Sequence, residues 1–227
     1  MSAVPERRTR TAGVLACVLT CLALSACGGG TPDNAVVSGL SVHDADGMNG
    51  AVLTSPYRWG AEELTDAEAQ PFDTRAALEK PLTLVFFGYT KCPDICQAVM
   101  ADITSALSRL DPGDAEQVDM WFVTTDPARD DPATLKSYLA RFDPGFQGVT
   151  GPIADILALA KPVHVPIEKG ERLPSGGYDV THGTAILGVM KDGSVPILWT
   201  EGTSAASLAA DFHTILTSGI PTEDDAS

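Results

Sequence analysis

The apolar positions of this chain recur with periods that change along its length. Residues 82–89 (LTLVFFGY) form a nearly unbroken apolar run rich in β-formers, which predicts a strand buried on both faces. Just after it, Ile95, Val99, Met100, Ile103, Leu107 and Leu110 recur mostly at three- and four-residue steps and predict an amphipathic helix. Residues 118–124 (VDMWFVT) predict another strand. Leu135, Tyr138, Leu139 and Phe142 predict a second helix, entered through Asp131 as N-cap and Pro132 at the first helical position. Residues 153–160 predict a short third helix ended by Pro162. Residues 163–167 predict a strand at an edge or an irregular end, because Pro166 has no donor. Short strands are expected over 57–72, with a turn near Asp66 and Ala67. Residues 184–190 (TAILGVM) and 195–200 (VPILWT) flank Lys191-Asp192-Gly193-Ser194, and an Asp-Gly pair between two apolar runs predicts a hairpin. A closing helix over 205–216 is capped by Ser204. Trp59, Trp121 and Trp199 are expected in the core.

Strand, helix, strand, helix, then hairpin and helix is an α/β order, and it is the order a thioredoxin-like core needs: a central mixed sheet flanked by helices. The chain has 227 residues, of which 44% are apolar, a globular composition. Its net charge of −15 repels phosphate backbones and argues against a nucleic-acid partner.

The N-terminus bears on compartment. Arg7, Arg8 and Arg10 precede residues 13–26 (GVLACVLTCLALSA), an uncharged apolar run. Such a run is shorter than the roughly 20 residues a membrane span needs, and with the basic cluster it reads as an export signal. An uncleaved anchor helix is the alternative. The run ends in Leu24-Ser25-Ala26-Cys27 before three glycines, which resembles the bacterial lipoprotein lipobox, whose Cys is lipidated and becomes the first mature residue. On that reading residues 1–26 are a signal peptide and 27–50 a lipidated N-terminus and flexible tether. Residues 51–220 form the folded domain, and 221–227 are an acidic tail. Processing would leave 201 residues with a net charge of −17. The protein would sit on the extracytoplasmic face of the bacterial membrane, lipid-anchored, as a monomer.

Cys17 and Cys21 would leave with the signal, so the mature chain keeps two thiols, Cys92 and Cys96. They lie between the buried strand and the first helix, where unpaired N–H groups favour thiolate. A four-residue step puts both sulfurs on one side of the first turn, able to close a disulfide or chelate one soft metal ion. A structural disulfide is the bland alternative, but so small a ring restrains the unfolded chain little. The second thiol pair of a four-thiolate zinc site is absent. A third donor would come from His43, His164, His182 or His213. His43 lies in a polar stretch, His164 alternates with Val163 and Val165, and His213 is placed in the closing helix as half-buried packing. His182 precedes a core strand, on the loop that in a thioredoxin-like core lies against the first helix's N-terminus, and is preferred.

Four segments carry a resemblance to the Sco/SenC copper-binding proteins. They are residues 87–96 (FGYTKCPDIC), residues 125–132 (TDPARDDP), residues 146–151 (FQGVTG) and residues 178–182 (YDVTH). The similarity spans about residues 57–216. It implies a thioredoxin-like fold holding one copper ion, Cu(I) or Cu(II), through Cys92, Cys96 and His182. It also implies delivery of that copper to the cytochrome c oxidase subunit carrying the dinuclear copper centre. Other copper-donor or thiol-reductant proteins are further expected partners. The alternative within the family is a thiol–disulfide reductase that uses Cys92 and Cys96 to keep that centre's cysteines reduced; a metallochaperone is preferred to an enzyme. Two departures stand out: Gln97 where Pro usually follows the second Cys, and Gly183 where Ser is common. Asp126, Arg129 and Asp130 are expected either to shape the rim of the metal site or, preferably, to make an Asp-Pro turn with an ion pair that starts the next helix.

Overall fold

The computed structural model describes residues 42–43, 47–172 and 178–221. Eleven strands and five α-helices follow in order: β1 (Val42–His43), β2 (Ala51–Arg58), β3 (Glu63–Asp66), β4 (Pro71–Asp73), β5 (Leu82–Gly88), α1 (Ile95–Leu107), α2 (Pro112–Ala115), β6 (Val118–Thr124), α3 (Pro132–Leu139), β7 (Gln147–Thr150), α4 (Ile153–Ala160), β8 (Ile167–Arg172), β9 (Tyr178–His182), β10 (Ile186–Met190), β11 (Ser194–Trp199) and α5 (Ala205–Ser218). Nine strands make one mixed sheet in the order β1-β2-β11-β10-β5-β6-β7-β3-β4, while β8 and β9 pair apart from it as an antiparallel ribbon.

At the centre, β5 pairs parallel with β6 and antiparallel with β10. Every residue of β5 is buried, as its apolar run predicts, because both faces are covered. Alternation divides it: Leu82, Leu84 and Phe86 pack with α1, α3 and α5 on one face, Val85 and Phe87 with α4 and Trp59 on the other. All three tryptophans are core residues. Helix α3 starts as the sequence dictates, with the Asp131 carboxylate accepting from Thr134 N–H and Pro132 at N1. The Asp-Gly turn joins β10 to β11 with Gly193 at φ +79°.

Three expectations need correction. Residues 163–167 are not a strand. Pro162 and Pro166 break any ladder, so Lys161–Val163 makes a 3-10 turn, His164 adopts the left-handed region (φ 56°), and a strand starts only at Ile167. His164 is exposed and packs on Tyr57, the rings 4.7 Å apart. His213 is exposed rather than half-buried, and its Nδ1 meets Asp114 Oδ2 at 2.6 Å. The ordered domain also begins before residue 51: β1 pairs with β2, and the N–H groups of Asn49 and Gly50 donate to Asp211. The expected signal peptide, Cys27, most of the expected tether and nearly all of the acidic C-terminal residues lie outside the described residues.

Candidate metal centre

The thiol loop hangs from the end of β5. Gly88 closes that strand where an added Cβ would stand 2.9 Å from ring carbons of both Phe86 and Phe122. Cys92 N–H donates to the Tyr89 carbonyl (3.1 Å), which turns the chain back toward α1. The N-cap residue Asp94 makes no side-chain cap hydrogen bond. The Cys92 sulfur takes up that role instead, accepting from Cys96 N–H at 3.4 Å. A helix N-terminus thus points at a sulfur, the arrangement that favours thiolate. Gln97 is exposed and its N–H donates to the Asp94 carbonyl, so the departure from Pro leaves the first turn closed. Both sulfurs are free thiols, with Cys92 5% and Cys96 0% exposed.

His182 arrives from the other side, at the end of β9, paired in register with Ile167 of β8. Residues 178–182, read from sequence as a loop, are a strand. Gly183 N–H donates to the Pro166 carbonyl, tying the ribbon's end to the turn before β8. His182 Nδ1 stands 3.0 Å from the Gly183 carbonyl. A carbonyl only accepts, so Nδ1 donates there, and in the neutral ring Nε2 keeps its lone pair. That lone pair faces Cys96 Sγ at 3.4 Å. Phe86 and Tyr89 meet the imidazole edge-on, at 6.0 and 5.7 Å between ring centroids, and fix its plane.

The three donor atoms of Cys92, Cys96 and His182 lie within 4.8 Å of one another. Bonds of roughly 2.0–2.3 Å, as thiolate and imidazole make to a first-row metal, require donor separations near 4 Å, so closure needs shifts of well under 1 Å. Two soft sulfurs and one imidazole suit copper or zinc and not a hard, oxygen-seeking cation.

The two thiols share one proton. The Cys96 thiol donates to Cys92 and, with the N–H groups of Asp94 and Cys96, draws the Cys92 pKa down to about 4 against its burial. The same partnership, together with burial, pushes Cys96 well above the ordinary thiol range. Behind them the Tyr138 hydroxyl is buried without a hydrogen-bond partner among the described residues, and its ionisation is pushed up by burial and then by the neighbouring Cys96.

Of the sequence-derived site residues, the structure gathers Cys92, Cys96 and His182 and leaves His164 and His213 elsewhere. The His43 side chain lies outside the described residues. The favoured ion pair exists between Arg129 and Asp126. Asp130 behaves otherwise: fully buried, its carboxylate reaches back to Thr90, two residues before Cys92. That contact, like the Phe86–Tyr89 wall, was missed from sequence. The one available signal was a second acidic residue beside Asp131 with no capping task of its own.

Comparisons agree with this geometry. A curated protein of Stutzerimonas stutzeri, named as a candidate copper-binding protein, is 35% identical over 133 residues, 59% of this chain and 64% of that protein. Mitochondrial SCO2 of Saccharomyces cerevisiae is 36% identical over 141 residues, 61% of this chain and 45% of that protein. The matches thus span less than two thirds of these relatives' lengths. Copper-bound ScoI of Bradyrhizobium japonicum superposes with a TM-score of 0.62 at 32% identity, covering 69% of this chain and 98% of that one. Copper-bound yeast Sco1 gives 0.66 at 25% identity, covering 76% and 95%. These neighbours share the thioredoxin-like fold. The sequence model described as SCO1/SenC matches residues 56–217, and the chain belongs to that family.

Proposed function

We propose that this protein is a copper carrier that takes one copper ion on Cys92, Cys96 and His182 and passes it to a protein acceptor. The observation that carries the reading is the convergence of two thiols and an imidazole whose Nδ1 is engaged by the Gly183 carbonyl while Nε2 faces the sulfurs. Copper-bound relatives in the same fold support the choice of copper over zinc. Copper here is cargo. Cys92 is drawn toward thiolate, Cys96 gives up its proton on binding, and His182 supplies a nitrogen. The imidazole is the weakest and most exposed of the three donors, so an incoming thiolate displaces it first and the ion leaves by stepwise ligand exchange.

The acceptor we assign is the oxidase subunit bearing the dinuclear copper centre, on the strength of the family resemblance. The lipobox-like Cys27 supports a lipid-anchored site of action outside the cytoplasm, with residues 1–26 removed. A second reading is favoured by the low Cys92 pKa: a thiol–disulfide reductase acting on the acceptor's cysteines. Titrating the reduced protein with Cu(I) against a chelator, for the parent and for His182→Ala, separates them. A carrier binds one copper per chain and loses affinity without His182. A protein acting only as reductase shows no His182-dependent copper binding and keeps its thiol chemistry in the variant.

A further inference from the structure

Asp130 and Asp211 are two carboxylates with no exposed surface at all. Burying a carboxylate is costly unless its oxygens are fully hydrogen-bonded, so each must hold something in place. Asp211 is accounted for by the fold. It accepts from Asn49 N–H, Asn49 Nδ2, Gly50 N–H and Trp199 Nε1, clamping the start of the domain to β11 and α5.

Asp130 clamps the functional loop. One oxygen accepts from Thr90 Oγ1 at 2.6 Å, and the other from Thr90 N–H at 2.9 Å and Thr124 Oγ1 at 2.8 Å. The carboxylate is itself fixed, since Asp130 N–H donates to the Asp126 carbonyl and Thr150 Oγ1 donates to the Asp130 carbonyl. Residues 89–94 belong to no strand or helix. Their position follows from the ends of β5 and β6, which Asp130 ties together through Thr90 and Thr124 beside the bond from Thr125 N–H to the Gly88 carbonyl (2.7 Å). Cys92 follows Thr90 by two residues.

We infer that Asp130 is the positioning residue of the thiol pair: through Thr90 it holds the Cys92 loop at the separation from Cys96 that the site requires. The inference rests on the thiols being the working groups, whether for copper or for electrons. It predicts a change in a property of the thiols themselves. Freed of the clamp, the loop gains freedom chiefly in the open dithiol, so closing the ring costs more entropy. Loss of a buried negative charge near two sulfurs also favours thiolate over disulfide. Both effects push the equilibrium toward the reduced pair.

The test needs no copper. Whole protein is equilibrated with glutathione buffers. Cys92 and Cys96 lose two electrons and the one proton they share as the Sγ–Sγ bond forms, and glutathione disulfide takes up both electrons, that proton and one from the buffer to give two glutathiones. In Asp130→Asn the Thr90 hydroxyl must reverse to accept from the amide NH2, and the remaining clamp bonds lose their charged acceptor, so the clamp weakens. The constant for disulfide formation falls by at least threefold, where tenfold corresponds to about 30 mV. Thr90→Val, which deletes the hydroxyl, shifts it in the same direction. Thr90→Ser, which keeps both donors, stays within twofold of the parent. Asp211→Asn lowers the unfolding temperature yet also stays within twofold. Should Asp130→Asn fail to fold, Thr90→Val decides. Asp130→Asn and Thr90→Val both within twofold of the parent, or Asp211→Asn shifting as far as Asp130→Asn, would overturn the inference. Failure of copper binding would leave this result untouched.

Discussion

Raising the pH from 7 to 9 tests the shared proton of the thiol pair. Copper takes both sulfurs as thiolates. Cys92, drawn down to about 4, is already ionised throughout this range. Cys96, pushed above the ordinary thiol range by burial and by donating to Cys92, keeps its proton until the ion displaces it. One proton therefore leaves per copper at every pH in the window, and linkage makes affinity rise about tenfold per unit, about 100-fold from pH 7 to 9. The sign follows because the free protein holds more protons than the loaded one, so higher pH favours loading. Two independent thiols near 8.5 would behave differently, releasing about 1.9 protons at pH 7 and about 0.5 at pH 9. The assay is a competitive Cu(I) titration at several pH values, corrected for the competitor, with an indicator count of protons released in weak buffer. A constant slope of one supports the coupled pair. A release near two at pH 7 that fades by pH 9 would refute it.

Two further outcomes follow from particular contacts. His182→Ala removes a donor atom, so copper affinity falls by more than the 10–100-fold usual for losing an outer partner of a metal ligand, while the rate at which the reduced thiols attack a small disulfide changes less than threefold. Equal loss of both activities would show that His182 acts on the thiols and not on the metal. Gly193→Ala puts a Cβ at φ +79° and 2.8 Å from Arg75 Cζ, displacing the guanidinium from the Lys191 and Asp192 carbonyls. Urea unfolding should report a loss of about 1–2 kcal/mol with unchanged copper binding; an unchanged midpoint would contradict the strained-turn argument.

Where one physical signal dominated, the sequence was legible. The apolar run at 82–89 is the central strand because both its faces are covered, and the Asp131-Pro132 start of α3 needs only local chemistry. The thiol pair was readable for the same reason, since a strand end and a helix start fix its place. Elements whose partners are distant were not readable. The short strand β7 (Gln147–Thr150) has no period to show, and its pairing with β6 and β3 is decided by the sheet. The ribbon β8–β9 carries charged positions on both strands and, among the described residues, pairs only with itself, so its second strand read as a loop. The reach of Asp130 across 40 residues to Thr90 leaves no trace in local spacing.

X-ray absorption at the copper edge on the loaded, reduced protein tests the central claim most directly. The account predicts two sulfur scatterers and one imidazole nitrogen per copper, with the nitrogen lost in His182→Ala while both sulfurs remain. A first shell of sulfur alone, unchanged by that substitution, would contradict a centre built from Cys92, Cys96 and His182.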